Sequence, residues 1–70
     1  MMPINFADKG VPVIIRHISG NSEVRQHLAD LGFVVGGEAT VISETDGNLI
    51  VNVKNVRVAV GKQLAAKIMI

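Results

Sequence analysis

Large apolar residues recur at every second position in the second half of the chain, at Leu49, Val51 and Val53 and again at Val56, Val58 and Val60. A period of two places every second side chain on the same face of a sheet, which predicts β-strands with one buried face. Asp46-Gly47 precedes the first segment and Asn55 separates the two, and these residue types favour tight reversals. The pattern therefore predicts a meander of short antiparallel strands, in which residues 38–44 form the strand before the Asp-Gly turn.

Two more strands are predicted near the ends of the chain. Residues 11–18 are rich in β-branched side chains and predict the first strand, with Pro12 near its start, where a missing N–H is tolerated. Residues 61–67 predict a single helical turn. Residues 68–70 then form a short final strand that we expect to close the sheet against the first strand.

One amphipathic helix is predicted between the first strand and the meander. Asn21 or Ser22 can cap it with a side-chain oxygen, and apolar residues recur at helical spacing as far as Leu31. Gly32 follows at the position where a left-handed residue commonly closes a helix, and Phe33 can fold back onto the last turn.

These elements predict one mainly β domain over residues 1–70: a small barrel of about five strands, with an amphipathic α-helix after the first strand and a short helical turn before the last. A chain of 70 residues can bury only one core, and the absence of cysteine leaves packing alone to stabilise it.

Several function classes lack support in the sequence. The net charge of +1 is too small to attract nucleic acid at long range, and no apolar run approaches a membrane-spanning length. Neither a nucleophile elbow nor a glycine-rich phosphate loop is present, so we expect no catalysis and no cofactor requirement. We therefore expect a binding module, with no nucleic-acid partner and no direct membrane insertion.

The order and spacing of several residues make the chain similar to a known family, from about Pro3 to Ile70. The residues that carry the resemblance are Asp8-Lys9-Gly10, Ile18, Gly20, Arg25, Leu28, Leu31-Gly32-Phe33, Gly36, Asp46-Gly47, Val58-Ala59, Ala66 and Ile68. Together they resemble the ferrous iron transport protein A (FeoA) family. Val35 stands where that family usually has proline, a difference that could loosen the turn before Gly36.

The resemblance implies an SH3-like barrel that assists ferrous iron uptake. It implies a protein of the cytoplasm, held at the inner face of the membrane by binding the cytosolic part of an iron(II) permease with a GTPase domain. The same barrel type occurs in iron-dependent repressors, so the alternative is a metal-responsive regulatory domain. No DNA-binding helix-turn-helix precedes the barrel here, which favours the transport role.

The apolar residues around the end of the helix are the candidate partner-binding surface, because a helix set across so small a barrel can leave an apolar ridge exposed. The alternative is that apolar side chains at helical spacing belong to the core. Val34 and Val35, adjacent in a loop, are favoured for exposed contact over Leu28. The candidates are Val24, Leu28, Leu31, Gly32, Phe33, Val34, Val35 and Gly36.

Glu23, His27 and Asp30 share one helix face at i, i+4 and i+7, and are candidates for binding iron(II) or another divalent metal. The alternative is an ordinary solvated face, because a stable site needs three or more convergent ligands with supporting hydrogen bonds. Self-association is a further possibility, through an unpaired barrel edge or the apolar C-terminal segment.

Overall fold

The computed structural model describes all residues, Met1–Ile70. It contains six strands and two helices, preceded by a 3₁₀ turn at Ile4–Phe6. A four-stranded sheet has the order β1-β3-β4-β5, and a two-stranded sheet pairs β2 with β6. The elements are β1 (Val13–Ile14), β2 (His17–Ile18), α1 (Ser22–Asp30), β3 (Glu38–Thr45), β4 (Asn48–Val53), β5 (Val56–Gly61), α2 (Lys62–Ala65) and β6 (Ile68–Met69).

The predicted meander is confirmed in strands β3 to β5, including both tight turns. Asp46 and Gly47 have φ angles of 46° and 81°, and Lys54 and Asn55 have φ angles of 51° and 64°. Two successive residues with positive φ define the reversal whose twist matches that of the flanking strands. The turns thus set the register Thr45↔Asn48 for one hairpin and Val53↔Val56 for the other.

The first predicted strand, residues 11–18, is two strands in the structure, so the barrel has six strands where about five were predicted. β1 pairs with β3, whereas β2 pairs with β6 in the other sheet. Between them the Ile15 N–H bonds the Gly37 carbonyl, and the Arg16 N–H bonds the Met69 carbonyl. The chain crosses here from one sheet to the other, and each half takes its hydrogen-bond partners from a different part of the fold.

Helix α1 begins as predicted and ends one residue earlier than expected, at Asp30. The Asn21 side chain accepts a hydrogen bond of 2.9 Å from the Val24 N–H, which satisfies one of the unpaired donors of the first turn. Asn21 is therefore the capping residue. The helix follows β2 directly and covers one side of the barrel through its buried Leu28.

The core is formed by 13 buried residues, all of them apolar. Strand β4 contributes three at alternate positions, as predicted. Along β5 the burial of the inward-facing valines decreases toward the Lys54-Asn55 turn. Val60 is buried, Val58 is half-buried and Val56 is 58% exposed. The core residues are Ile4, Ile15, Ile18, Leu28, Phe33, Ala39, Val41, Leu49, Val51, Val53, Val60, Ala65 and Ile68.

The two ends of the chain lie side by side. The Met2 N–H bonds the Ile70 carbonyl at 3.0 Å, and the Ile70 N–H bonds the Met2 carbonyl at 2.8 Å. Pro3 bridges Met69 in antiparallel fashion, so the N-terminal segment continues the small sheet beyond β6. The first and last residues are thereby placed next to the region where β1 passes into β2.

Candidate functional site

The end of helix α1 is closed by a pair of backbone hydrogen bonds. The Gly32 N–H bonds the Ala29 carbonyl and the Phe33 N–H bonds the Leu28 carbonyl, each at 2.9 Å. This is the Schellman arrangement, and the φ of +109° at Gly32 is the backbone angle that it requires. Leu28 and Phe33 are both fully buried. The chain therefore leaves the helix in a fixed direction, with Phe33 as its anchor in the core.

A tight turn follows the anchor and presents Val35 to solvent. The Gly37 N–H bonds the Val34 carbonyl at 3.0 Å, and Gly36, the third residue of the turn, has a φ of +87°. A glycine with positive φ at this position is typical of a type II turn. Val35 is 63% exposed at the tip. We call residues 34–37 the docking turn.

The docking turn is hydrogen-bonded to the sheet through a single residue. Ile15 accepts a bond of 2.7 Å from the Gly36 N–H and donates one of 2.9 Å to the Gly37 carbonyl. Ile15 is itself fully buried, so the turn is tied to the core on both sides. Its position is thus fixed against the end of β1.

An apolar depression of about 380 Å³ lies beside β1, where the two chain ends meet. Ile14 is 46% exposed and Met2 is 47% exposed there. Arg16 forms no salt bridge, because the one salt bridge of the structure joins Lys62 to Glu44. The lining residues are Met2, Pro12, Val13, Ile14, Arg16 and Ile70.

Sequence reasoning missed this depression, although a signal was present. Val13, Ile14 and Ile15 are three consecutive apolar residues in the predicted first strand, and successive side chains of a strand point to opposite faces. When Ile15 is buried, Ile14 must face outward. An uninterrupted apolar run in a strand of so small a barrel thus indicates an exposed apolar position.

The predicted partner-binding residues separate into core and surface. Leu28 and Phe33 are fully buried and belong to the core, so their side chains are not accessible to a partner in this conformation; partner binding by the set as a whole stays a prediction. The exposed members are Val35 and Gly36, in the docking turn. The half-buried members are Val24, Leu31, Gly32 and Val34.

The charged face of helix α1 is exposed and its groups do not converge. Glu23, His27 and Asp30 all face solvent, and the Gln26 side-chain amide donates a hydrogen bond of 2.9 Å to Asp30. No group of three His, Asp or Glu side chains in the structure is placed to hold a metal ion. Binding of iron(II) or another divalent metal by these three residues stays a prediction.

One ion pair joins the tip of the β3–β4 hairpin to the start of α2. Lys62 Nζ lies 2.7 Å from a carboxylate oxygen of Glu44. The hydrogen bond from Lys62, followed by its positive charge, lowers the pKa of Glu44 below its usual value. Both side chains are exposed, so the pair is a surface link between two elements and offers no buried acid or base.

A polar depression of about 340 Å³ occupies the outer face of the four-stranded sheet. Thr40 and Asn52 lie directly opposite each other across β3 and β4, and Arg57 follows in the same row on β5. The depression therefore offers hydrogen-bonding groups on a sheet face. Its lining residues are Pro12, Glu38, Thr40, Asn52, Lys54 and Asn55.

Neither helix combines the length and apolar character needed to cross a membrane.

Comparison with known proteins gives matches over nearly the whole chain. A family model described as the FeoA domain matches residues 2–70. A protein of Methanocaldococcus jannaschii with the provisional name Fe(2+) transport protein A is 34% identical over 70 residues, which cover 100% of this chain and 85% of that protein.

Solved structures confirm the predicted fold. The crystal structure of an iron uptake regulatory protein (FeoA) has a TM-score of 0.87 at 34% identity, covering 97% of this chain and 90% of that one. The solution structure of iron(II) transport protein A from Clostridium thermocellum has a TM-score of 0.88 at 24% identity, covering 97% of this chain and 43% of that one. An FeoA-like protein from Clostridium acetobutylicum gives 0.84 at 20% identity, covering 96% of this chain and 80% of that one. The last two similarities concern the fold alone.

Proposed function

The chain belongs to the FeoA domain family, and we propose that it is a non-enzymatic accessory protein of ferrous iron uptake that binds the cytosolic part of an iron(II) permease carrying a GTPase domain. Iron(II) is the cargo of the transporter in this proposal, and the chain needs no cofactor of its own. In this proposal the chain is located in the cytoplasm, where binding to its partner holds it at the inner face of the membrane.

The observation that carries the proposal is the exposed Val35 on a turn that is otherwise tied to the core. Phe33 anchors the turn on one side and Ile15 bonds it on the other, yet Val35 is 63% exposed. Exposed apolar groups on a fixed backbone lose little conformational freedom when a partner covers them, which favours binding. The apolar depression is lined by Ile14 and Arg16, which flank Ile15 in the chain, and we include it in the proposed contact surface.

Modulation of a permease follows from binding only when the two conformations of the permease differ in affinity for the module. The docking turn and the depression supply a preformed apolar contact, and Arg16 in the lining of the depression adds a cation that forms no salt bridge. A permease state that offers a complementary apolar surface would be stabilised by this contact at the expense of the other state. The chain's own part in the mechanism is therefore to bind the permease and shift its conformational equilibrium, without taking part in a chemical reaction.

The test is an anaerobic NMR titration of the isotope-labelled chain with the soluble GTPase region of the permease. We expect shifts in residues 34–37 and 14–16. Val35→Ser removes apolar contact worth about 1.5 kcal/mol, or roughly a tenfold weakening of binding. Phe6→Ser is the control, because Phe6 is exposed to a similar degree, at 68%, and lies outside the docking turn. Equal weakening by both variants, or by neither, would refute docking through Val35.

A separate titration with iron(II) alone tests the alternative of a metal-responsive regulatory domain. That alternative expects saturable shifts or broadening at Glu23, His27 and Asp30 in the absence of the permease. The accessory role expects no saturable response at these three residues. Glu23→Gln and Asp30→Asn together would abolish a genuine metal response while leaving binding of the GTPase region unchanged.

A further inference from the structure

Strand β5 is an open edge of the four-stranded sheet. It pairs with β4 on one side and with no strand on the other. The two-residue turn at Lys54-Asn55 makes Val53 and Val56 a hydrogen-bonded pair, and such pairs alternate along an antiparallel ladder. The N–H and C=O groups of Arg57 and Ala59 therefore face away from β4. They have no partner among the backbone hydrogen bonds outside the helices and strands.

This edge lacks most of the usual features that prevent strand addition. β5 contains no proline, and its six pairs with β4 run without a bulge. The opposite edge of the sheet differs, because β1 has only two residues and follows Pro12 directly. Natural proteins protect open edges with short strands, proline, bulges or charge. On β5 the one such feature is a charge, that of Arg57.

The charge around the edge decides which occupant fits. Residues 54–62 contain Lys54, Arg57 and Lys62 and no acidic residue. Lys62 is paired with Glu44, whereas Lys54 and Arg57 form no salt bridge. A second copy of this chain would bring the same cations to the shared edge, and like charges across paired strands are destabilising. A segment with acidic side chains would meet two unpaired cations instead.

The two faces of β5 also differ in the side chains that an added strand would meet. Arg57 lies on the outer face, in a polar row with Asn52 and Thr40. Val56 and Val58 lie on the inner face and are exposed and half-buried, respectively. An added strand complements both faces when its outward side chains are acidic and its inward side chains are apolar. Because successive side chains point to opposite faces, acidic and apolar residues then alternate along its sequence.

We propose that the β5 edge binds an extended segment of a partner protein in which acidic and apolar residues alternate. The segment adds as a further strand, bonding the backbone of Arg57 and Ala59, while one of its carboxylates pairs with the Arg57 guanidinium. The proposal does not depend on the docking turn or on a permease as partner, because it rests on a different edge of the sheet and on different residues.

The probe is a synthetic six-residue peptide, acetylated and amidated, with alternating glutamate and valine. Titrated to millimolar concentration into the labelled chain, it is expected to shift the amides of residues 56–61 and to slow hydrogen exchange at Arg57 and Ala59. A lysine-valine peptide of the same length is the matched control and should leave these amides unchanged. Equal binding of the two peptides, or shifts elsewhere only, would overturn the proposal.

Two variants separate the backbone contribution from the charge. Ala59→Pro removes an N–H that the β4 ladder does not use, so the fold tolerates it, and it should weaken peptide binding about tenfold. Arg57→Gln should weaken binding roughly two- to fivefold, whereas Arg25→Gln on helix α1 should not change it. Retained affinity in Ala59→Pro would overturn strand addition. Dimerisation of the chain alone, measured by sedimentation and abolished by Ala59→Pro, would assign the edge to a second copy and overturn the proposal.

Discussion

Phe33 and Val35, two positions apart after helix α1, should differ strongly in how much their substitution lowers the free energy of unfolding. Phe33 is fully buried and Val35 is 63% exposed, although the sequence predicted both as contact residues. Removing a buried phenylalanine side chain typically costs about 3 to 5 kcal/mol. A domain of this size is stable by about 4 to 10 kcal/mol in total, so Phe33→Ala would lose a large part of its stability. Phe33→Leu, which keeps most of the volume, should cost about 1 kcal/mol and remain folded.

Val35→Ala removes two carbon groups from a side chain that is already mostly exposed to water. Each such group contributes about 0.8 kcal/mol when fully buried, and roughly a third of this side chain is covered. The free energy of unfolding should therefore fall by about 0.5 kcal/mol. The chain has no tryptophan or tyrosine, so urea unfolding is best followed by far-UV circular dichroism. At a slope of about 1 kcal/mol per molar urea, the midpoint should fall by roughly 1 M for Phe33→Leu and by about half of that for Val35→Ala.

The proposed binding to the permease should show the reverse order of effects. Phe33→Leu should leave the affinity of the folded protein for the GTPase region nearly unchanged, while substitution of Val35 weakens it. The separation of core anchor from contact residue would be refuted if Val35→Ala destabilised the fold as much as Phe33→Leu. It would be refuted equally if Phe33→Leu reduced affinity in a protein that retains the native spectrum.

Two other substitutions test the remaining local structure. Asn21→Ala removes the side-chain acceptor of the Val24 N–H and should lower the free energy of unfolding by about 1 kcal/mol, whereas Asn21→Ser should recover most of it; equal losses in both would contradict the capping role. Glu44→Gln breaks the ion pair with Lys62, which lowers the pKa of Glu44. That pair stabilises the fold above the pKa of the unfolded carboxyl and is lost as the pH falls through the lowered folded pKa, so wild type and variant should differ in urea midpoint at pH 7 and converge at low pH. A difference independent of pH would show that the charge of Glu44 is not its cause.

The signals that could be interpreted from the sequence were all local. Asp46-Gly47 and Asn55 each required positive φ within a two-residue turn, and the meander followed from them. Asn21 and Gly32 specified the start and the end of helix α1 through hydrogen bonds that span only a few residues. Because each of these features depends on neighbours in the chain, residue type and spacing were sufficient to predict it. The family resemblance depended on the same residues in the same order.

The candidate surfaces depended on contacts between distant parts of the chain, which the sequence pattern does not contain. Residues 11–18 formed one β-branched run, but only the packing of two sheets divides it at Ile15 and leaves Ile14 exposed. Phe33 and Val35 are both apolar loop residues by sequence, and the closure of the helix end against the core decides which of them is buried. The open edge of β5 likewise exists because no other strand of the fold reaches it. Local chemistry thus determined the elements, and tertiary packing decided which of their apolar and backbone groups remain for a partner.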